Sequence, residues 1–576
     1  MATAWELKSI PDPVIIRDLQ NQLQIDPVLA TLLVQRNIHT FDEAQRYFRP
    51  KLTELHDPFL MKDMEKAVIR FNHAIERGEK IVIYGDYDVD GTTAVSLFLN
   101  AARRYYPNID FYIPDRFSEG YGVNSNAIDQ IYEEGASLLF TLDCGIKSVG
   151  EIALAKKLGM DVIICDHHEP GEITPDAIIL NPKQKDCPYP YKELSGCGVT
   201  FKFLQGVFVA NSWNSQELIE NLDLLTLSIA ADIVPVTGEN RIFCFYGMEQ
   251  INQKKSTVID LMFRQANKNY PVQLSDIVFS IAPRINAAGR IQHAAQIVEL
   301  FTSDDLYEIE QKVQQINELN KERRFLDQQI TFEAIQEMLS DTGQQFSNVV
   351  YNDTWSKGVI GIVASRLVEK NNRPSIVFTK SNGVLTGSGR SIPQINLYDI
   401  LSKCEEHVVQ FGGHAFACGL TIEEERLELF KQSFDSALEF VFQAQDCSPR
   451  IEIDLEIDFD NIYAATDPGQ GRLPKFIRIL QQMEPFGPEN MRPVFVTRNV
   501  FISDYRILKG EHYKFDFQQK GKPIRIEGIA FNFNEKFNEI EEAKPVDIVY
   551  SIGINRWNEK ENLQLEIKDL RNTTIY

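Results

Sequence analysis

The sequence predicts an α/β protein: a parallel-sheet lobe, a smaller α/β lobe joined to it by a long helix, and a C-terminal all-β, OB-like domain. Three observations carry this reading. Short apolar runs alternate with helical stretches between residues 80 and 182, as in a parallel sheet covered on both faces. Residues 303–340 hold no glycine or proline. From about residue 449 the pattern changes to period-two alternation, which marks strands with one buried face.

The elements follow in order. Residues 1–50 carry short helical patterns, PVLATLLVQRN and TFDEAQRYF, and read as a small N-terminal extension. Residues 51–302 form the first lobe. Its strands are KIVIYGD, DFYIPD, SLLFTLD, MDVIICD and DAIILNP, separated by helices such as TTAVSLFLNAARRYY and KSVGEIALAKKLG. In 303–340, Leu306, Ile309, Val313 and Ile316 recur at helical spacing, so this helix reads as a connector between lobes. Residues 341–446 form the second lobe, with SNVVYND and SIVFTK as strands and GVIGIVASRLVEKN as a helix. Residues 447–576 supply five or more strands, enough for a small barrel.

Composition excludes several classes. The chain has 576 residues, 24% of them charged. That is ordinary for a globular protein and unlike a disordered or collagenous one. No apolar run approaches the roughly 18 residues of a membrane span, and the N-terminus lacks the pattern of a signal peptide. Eight scattered cysteines without CxxC pairs read as reduced thiols, and a cytoplasmic location is expected. The net charge of −23 argues against nucleic acid unless local patches supply cations.

The apolar strands repeatedly finish in acid. KIVIYGD runs into Asp86-Tyr87-Asp88-Val89-Asp90-Gly91, SLLFTLD stops at Asp143, and MDVIICD stops at Asp166 before His167-His168. A further acid, Asp232, closes the apolar stretch LLTLSIAADIVP. The carboxyl ends of parallel strands share one edge, so these positions should converge there. Converging carboxylates repel unless a cation neutralises them. Oxygen ligands with an imidazole suit Mn²⁺ or Mg²⁺. One such aspartate alone would be a turn former or helix cap; three strand ends and a histidine pair point to a metal cluster. An EF-hand is excluded, because position twelve of the DxDxDG run is Leu97 and a strand precedes it.

GDYDVDG, LDCG, DHH and AADIVP, in this order, resemble the DHH phosphoesterase superfamily, and within it the bacterial RecJ single-strand-specific exonucleases. SGCGVTFK, PRINAAGR, WSKGVIGIVASR, GSGRS and FGGHAFACG extend the likeness over roughly residues 50–576, the last two resembling the DHH-associated domain. The resemblance implies a DHH catalytic lobe and two divalent ions, Mn²⁺ or Mg²⁺. Asp88 would hold one ion and Asp90 the other, with Asp143 bridging and His167 and Asp232 completing the second site. His168 would face the substrate phosphate, while Asp86 and Asp166 orient the ligands. Superfamily members often have histidine where Tyr84 stands here, so the first ion would rest on fewer protein ligands. The family usually has histidine at Ser356, which is therefore left without a role.

Substrate contacts are expected from Arg284, Asn286 and Arg290, and in the second lobe from Ser388, Arg390, Gly412, Gly413 and His414. Each arginine could equally serve a structural ion pair, and His414 a structural role. In the β domain, residues 472–525 hold eleven Lys/Arg against five Asp/Glu. Phe476, Phe486, Phe495, Phe501, Tyr505, Tyr513, Phe515 and Phe517 are interleaved with them, the composition of a single-strand-binding surface. For any one of these aromatics the barrel core is the commoner fate.

The resemblance implies a 5′→3′ exonuclease that hydrolyses single-stranded DNA to 5′-mononucleotides by two-metal-ion chemistry, in DNA repair and recombination. It also implies a single-stranded-DNA-binding protein and a helicase as partners; no membrane partner is expected. One rival is a DHH phosphodiesterase or phosphatase acting on short oligonucleotides, cyclic dinucleotides or pyrophosphate, for which a β domain would be superfluous. From another class, a non-catalytic replication scaffold would be marked by lost ligands, yet all five acids and imidazoles are present.

Overall fold

The computed structural model describes residues 3–573 except 117, 121, 341–342, 382, 464–472, 542–543 and 558–559. In the first lobe, strands β2 (Lys80–Gly85), β3 (Ile109–Tyr112), β4 (Ala136–Leu142), β5 (Asp161–Cys165) and β6 (Ile178–Leu180) follow β1 (Ala4–Leu7) of the N-terminal segment. They pair in parallel in the order β3-β2-β4-β5-β6. Both faces are covered. Ile81, Ile83, Phe140 and Ile163 face one apolar cluster, while Val82, Tyr84, Leu139 and Ile164 face another. This two-sided burial is why the strands read as continuous apolar runs rather than as alternation.

The connector is one helix, Leu306–Ser340, of 35 residues. At 1.5 Å per residue it spans about 50 Å. Ile309, Val313 and Ile316 pack into the first lobe, and Ile330 and Ala334 into the second. The second lobe holds β7 (Asn348–Tyr351), β8 (Ser375–Ser381), β9 (Val384–Arg390), β10 (Gln410–Gly413) and β11 (Ala417–Ile422), ordered β10-β11-β9-β8-β7. Only β7 and β8 run parallel.

After β12 (Arg450–Ile453), the β domain comprises β13 (Leu455–Glu456), β14 (Val494–Leu508), β15 (His512–Gln519), β16 (Arg525–Ala530), β17 (Val546–Trp557) and β18 (Lys560–Asn572). β14 pairs with both β15 and β17, so the sheet closes into a barrel. Closure removes the exposed edges that an open sheet would leave.

The N-terminal segment is part of this domain rather than an appendage. β1 pairs in parallel with β12. Leu19, Leu29, Leu32 and Leu33 share a core with Ile457, Phe459, Ile477 and Phe495. All eight cysteines are free and buried. Among the described residues, no helix is long and apolar enough to cross a membrane.

Candidate metal centre and arginine cleft

Each acid enters where an element stops and the chain must turn. β2 ends at Gly85 and Asp86 follows. A Cβ at Gly91 would fall 2.5 Å from the Asp86 carbonyl oxygen, so only glycine lets the helix Val89–Ala102 start against that turn. Asp88 caps this helix by accepting the Gly91 amide at 3.1 Å. Asp143 follows β4 in the left-handed region, φ 59°, a conformation that aspartate tolerates better than most residues. Asp166, His167 and His168 follow β5. Asp232 differs: it ends the helix Leu222–Ala231, which packs on the helix Val89–Ala102.

These ends converge. His167 Nε2 lies 3.2 Å from Asp143 Oδ1, 3.5 Å from Asp232 Oδ2 and 3.7 Å from Asp90 Oδ2. His168 Nδ1 is 2.7 Å from Asp166 Oδ1 and 4.0 Å from Asp143 Oδ1. Asp90 is gripped from outside the cluster: the amides of Gly196 and Cys197 donate to it at 2.7 and 2.8 Å, and the Ser228 hydroxyl at 2.7 Å. Asp166 accepts from the amides of Ile146, His167 and His168. Tyr84 points elsewhere, donating to the Gly122 carbonyl at 2.8 Å and stacking on Tyr112.

Burial and mutual repulsion push the carboxyls of Asp86, Asp143 and Asp232 well above the usual range, and Asp88 upward too. Burial works the same way on Asp166, but the bonds from His168 and the amides outweigh it and hold that carboxyl at about 2. Burial lowers the His167 imidazole. For His168 burial is outweighed by Asp166, and the imidazole is raised.

Asp86 Oδ1, Asp143 Oδ1 and both ring nitrogens of His167 are buried without a hydrogen-bond partner. Orphaned donors and acceptors of this kind need an explanation. Divalent cations fit them: carboxylate oxygens and an imidazole nitrogen, with ligand atoms mutually within 4.8 Å in the groups Asp90-His167-Asp232 and Asp143-His167-His168.

A pH dependence follows. Four carboxyls have folded pKa values above their unfolded ones, so their contribution is present at low pH and lost as pH rises. His167, lowered on folding, works the other way; His168, raised, works with the carboxyls, and Asp166, held at about 2, titrates below this range. Chelator-treated protein should therefore melt several degrees lower at pH 8 than at pH 5.5. Mn²⁺ should remove most of that difference by replacing the protons. Scanning fluorimetry across this range tests it; a flat profile in chelator would remove the electrostatic account.

A second cluster faces the centre. Arg116 lies over the Tyr87 ring at 5.1 Å. Arg290 reaches from the first lobe to the Gly358 carbonyl of the second, 2.8 Å away. Burial, together with Arg116, Arg323 and Arg390, lowers the Arg290 guanidinium to about 9. Cationic crowding of this sort calls for an anion. Gly289, beside Arg290, approaches the Tyr87 carbonyl so closely that a Cβ would lie 3.0 Å from it. Arg390 donates to the Ser388 hydroxyl at 3.1 Å, and glycine at 361 leaves room for both side chains.

The other expected contacts spread more widely. Arg284 donates to the Ser280 carbonyl and to Asn317, and Asn286 is half-buried on the same helix, Ala282–Ile291. Gly412 and Gly413 lie in β10, paired with Gly419 and Cys418 of β11, and His414 is exposed where this hairpin turns. Sequence reasoning missed Arg116, the Gly196 and Cys197 amides, and Ser228. The SGCG run was the available signal for the amides; none marked Arg116.

In the β domain, Phe476, Phe495, Tyr513, Phe515 and Phe517 are barrel core. Lys475, Arg492, Arg498, Lys514 and Lys522 are engaged with partners within the chain, and Arg472 lies outside the described residues. The patch is thus less available than its composition suggests.

Residues 80–229 match the DHH family, N-terminal domain, and residues 343–439 the DHHA1 domain. Residues 464–569 match the RecJ OB domain. Sheet, pocket chemistry and matched domains together define a metal-dependent hydrolase of the DHH class. The chain is 36% identical to the single-stranded-DNA-specific exonuclease RecJ of Bacillus subtilis, over 98% of this chain and 70% of that one. It is 31% identical to RecJ of Escherichia coli, over 95% and 96%. This chain belongs to the RecJ family. RecJ of Thermus thermophilus, solved in complex with Mn²⁺, shares the fold at a TM-score of 0.83 and 24% identity, covering 100% of this chain and 80% of that one. An exonuclease RecJ bound to manganese matches at 0.59 and 28% identity, covering 68% and 96%.

Proposed function

We propose that this chain is a 5′→3′ exonuclease that hydrolyses single-stranded DNA to 5′-mononucleotides with Mn²⁺ or Mg²⁺, serving DNA repair and recombination in the cytoplasm. The observation that carries this reading is the pairing of an acidic pocket with an arginine cluster contributed by both lobes. The first needs cations and the second needs phosphate.

Asp88, Asp90, Asp143, His167 and Asp232 would hold two divalent ions. When bound, such ions activate water and neutralise charge building on a phosphoryl group. The chain's own residues do the rest. Asp90 is pre-set by two amides and a hydroxyl, so it needs no reorganisation on binding. His168 donates its Nδ1–H to Asp166, whose charge favours the imidazolium, and in that doubly protonated form Nε2–H donates to a phosphate oxygen. Arg116, Arg290 and Arg390 receive the terminal phosphate, and that anchorage sets polarity. A cleft that admits one strand excludes duplex. A single-stranded-DNA-binding protein and a helicase are the partners this role implies.

The test uses strands labelled at either end, with Mn²⁺, Mg²⁺ or chelator. Label at the 5′ end should appear at once as mononucleotide, label at the 3′ end only after a lag, and chelator should stop both. Release of 3′ label first, or degradation of blunt duplex at the same rate, would overturn the reading.

A further inference from the structure

A groove of about 750 Å³ runs between the first lobe and the C-terminal domain, and one of its walls begins at Ile233, the residue after Asp232. Three large apolar side chains from three separate elements line it in the open. Phe279 is 79% exposed, Ile233 64% and Met491 63%. One of them is held there at a backbone cost, and another on an irregular turn. Ile233 is β-branched yet sits at φ 60°, a true outlier for its type. Phe279 is carried by a π-helical turn, Ile277–Ile281, an irregularity common at functional sites. Strain that the surrounding fold maintains points to use.

The groove's chemistry selects its occupant. Phe486 adds a further ring, and Arg492 lies over it at 5.2 Å. That guanidinium is committed to Gln273 at 2.7 Å and lies 3.8 Å from Glu484, while Arg49 donates to Gln482. The lining is therefore apolar and nearly neutral, with few free cations for phosphates. Aromatic and apolar faces beside a nucleic-acid site suit bases, whatever their identity.

We infer that this groove takes the unstacked bases of the strand on the far side of the cleaved phosphodiester, with Phe279, Ile233 and Met491 as its contact surface. The inference rests on the proposed action on single strands. The position of Ile233 directly after Asp232 and the C-terminal domain as the opposite wall favour a strand over any other occupant. Phosphates then face outward, and the bases face inward.

The test compares kcat/KM for a normal single strand with that for a strand abasic at nucleotides 3–6 from the 5′ end. In the wild type the normal strand should be favoured about tenfold or more, the scale of one or two stacked bases. In the Phe279→Ala/Met491→Ala double variant this preference should fall to about threefold or less. A merely structural defect would lower both strands together and leave the preference as in the wild type, which overturns the inference. Equal turnover of the two strands by the wild type also overturns it, and leaves the groove to an apolar peptide. Either of those results leaves exonuclease action intact; absence of any strand cleavage sinks both.

Discussion

Asp143→Asn should cut hydrolysis of single strands about a thousandfold, while making the metal-free protein more stable. The first effect follows from charge. Asp143 Oδ1 is buried, has no hydrogen-bond donor, and lies 3.2 Å from His167 Nε2. In the proposed mechanism its removal leaves one negative charge fewer to hold the cations, and several kcal/mol of transition-state stabilisation would go with them. The second effect follows from repulsion. Burial and the charges of Asp90, Asp88, Asp232 and Asp86 push the Asp143 carboxyl upward, so its ionised form opposes folding near pH 8. Asparagine keeps the shape and tolerates the left-handed backbone at this position. In chelator at pH 8 the variant should melt above wild type; with Mn²⁺ the order should reverse. Melting curves with and without Mn²⁺, run beside the activity assay, check both. A variant that stays active, or that melts lower in chelator, would show that Asp143 is a structural acid.

Much of the site was legible because parallel sheets deliver their strand ends to one edge. Asp86, Asp143 and Asp166 each follow a strand, and the histidine pair sits behind the third. Asp232 is a different case. It closes a helix, and its approach to His167 depends on how that helix packs, which no periodicity states. The Gly196 and Cys197 amides that hold Asp90 lie 106 and 107 residues away in sequence. Backbone donors carry no residue signature, so only a motif could hint at them. The N-terminal helices declared their apolar faces, but a stripe does not name its partner, here a domain some 450 residues on. Most of the aromatics singled out in the β domain met the commoner fate, the barrel core. Tyr513, Phe515 and Phe517 alternate with polar residues, so one face of β15 had to hold all three, and that face is the barrel interior. The exposure of Ile233 and Phe279 was invisible, since neither a left-handed isoleucine nor a π-turn follows from local preference.

Gly196→Ala should damage the centre from a position that carries no functional group. A Cβ at Gly196 would lie 2.6 Å from both Cβ and Oδ1 of Asp143, a separation real Cβ contacts do not reach. Neither side can yield easily. Asp143 is fixed by the turn after β4, its amide donating to the Cys165 carbonyl at 2.9 Å. The helix Gly196–Asn211 is fixed by its cap, because Ser195 Oγ accepts the Gly198 amide and lies 2.6 Å from the Ser228 hydroxyl. The Gly196 amide is also one of the donors to Asp90, so any retreat of the helix loosens a second carboxylate. Overpacking of this kind costs about 1–3 kcal/mol of stability. Displacing a ligand by a few tenths of an ångström should cost more in function: about a hundredfold or more in kcat and a weaker apparent affinity for Mn²⁺, with KM for the strand little changed. Gly198→Ala is the control. Its Cβ would meet Leu194 at 3.3 Å and Ser195 Oγ at 3.4 Å, tight but tolerable, and away from Asp143. It should fold and retain most activity. Titrating Mn²⁺ against turnover for both variants separates the outcomes. If Gly196→Ala keeps its metal affinity and rate, the close approach of this helix to Asp143 is incidental; if both variants fail equally, the helix start is needed for folding rather than for seating the acids.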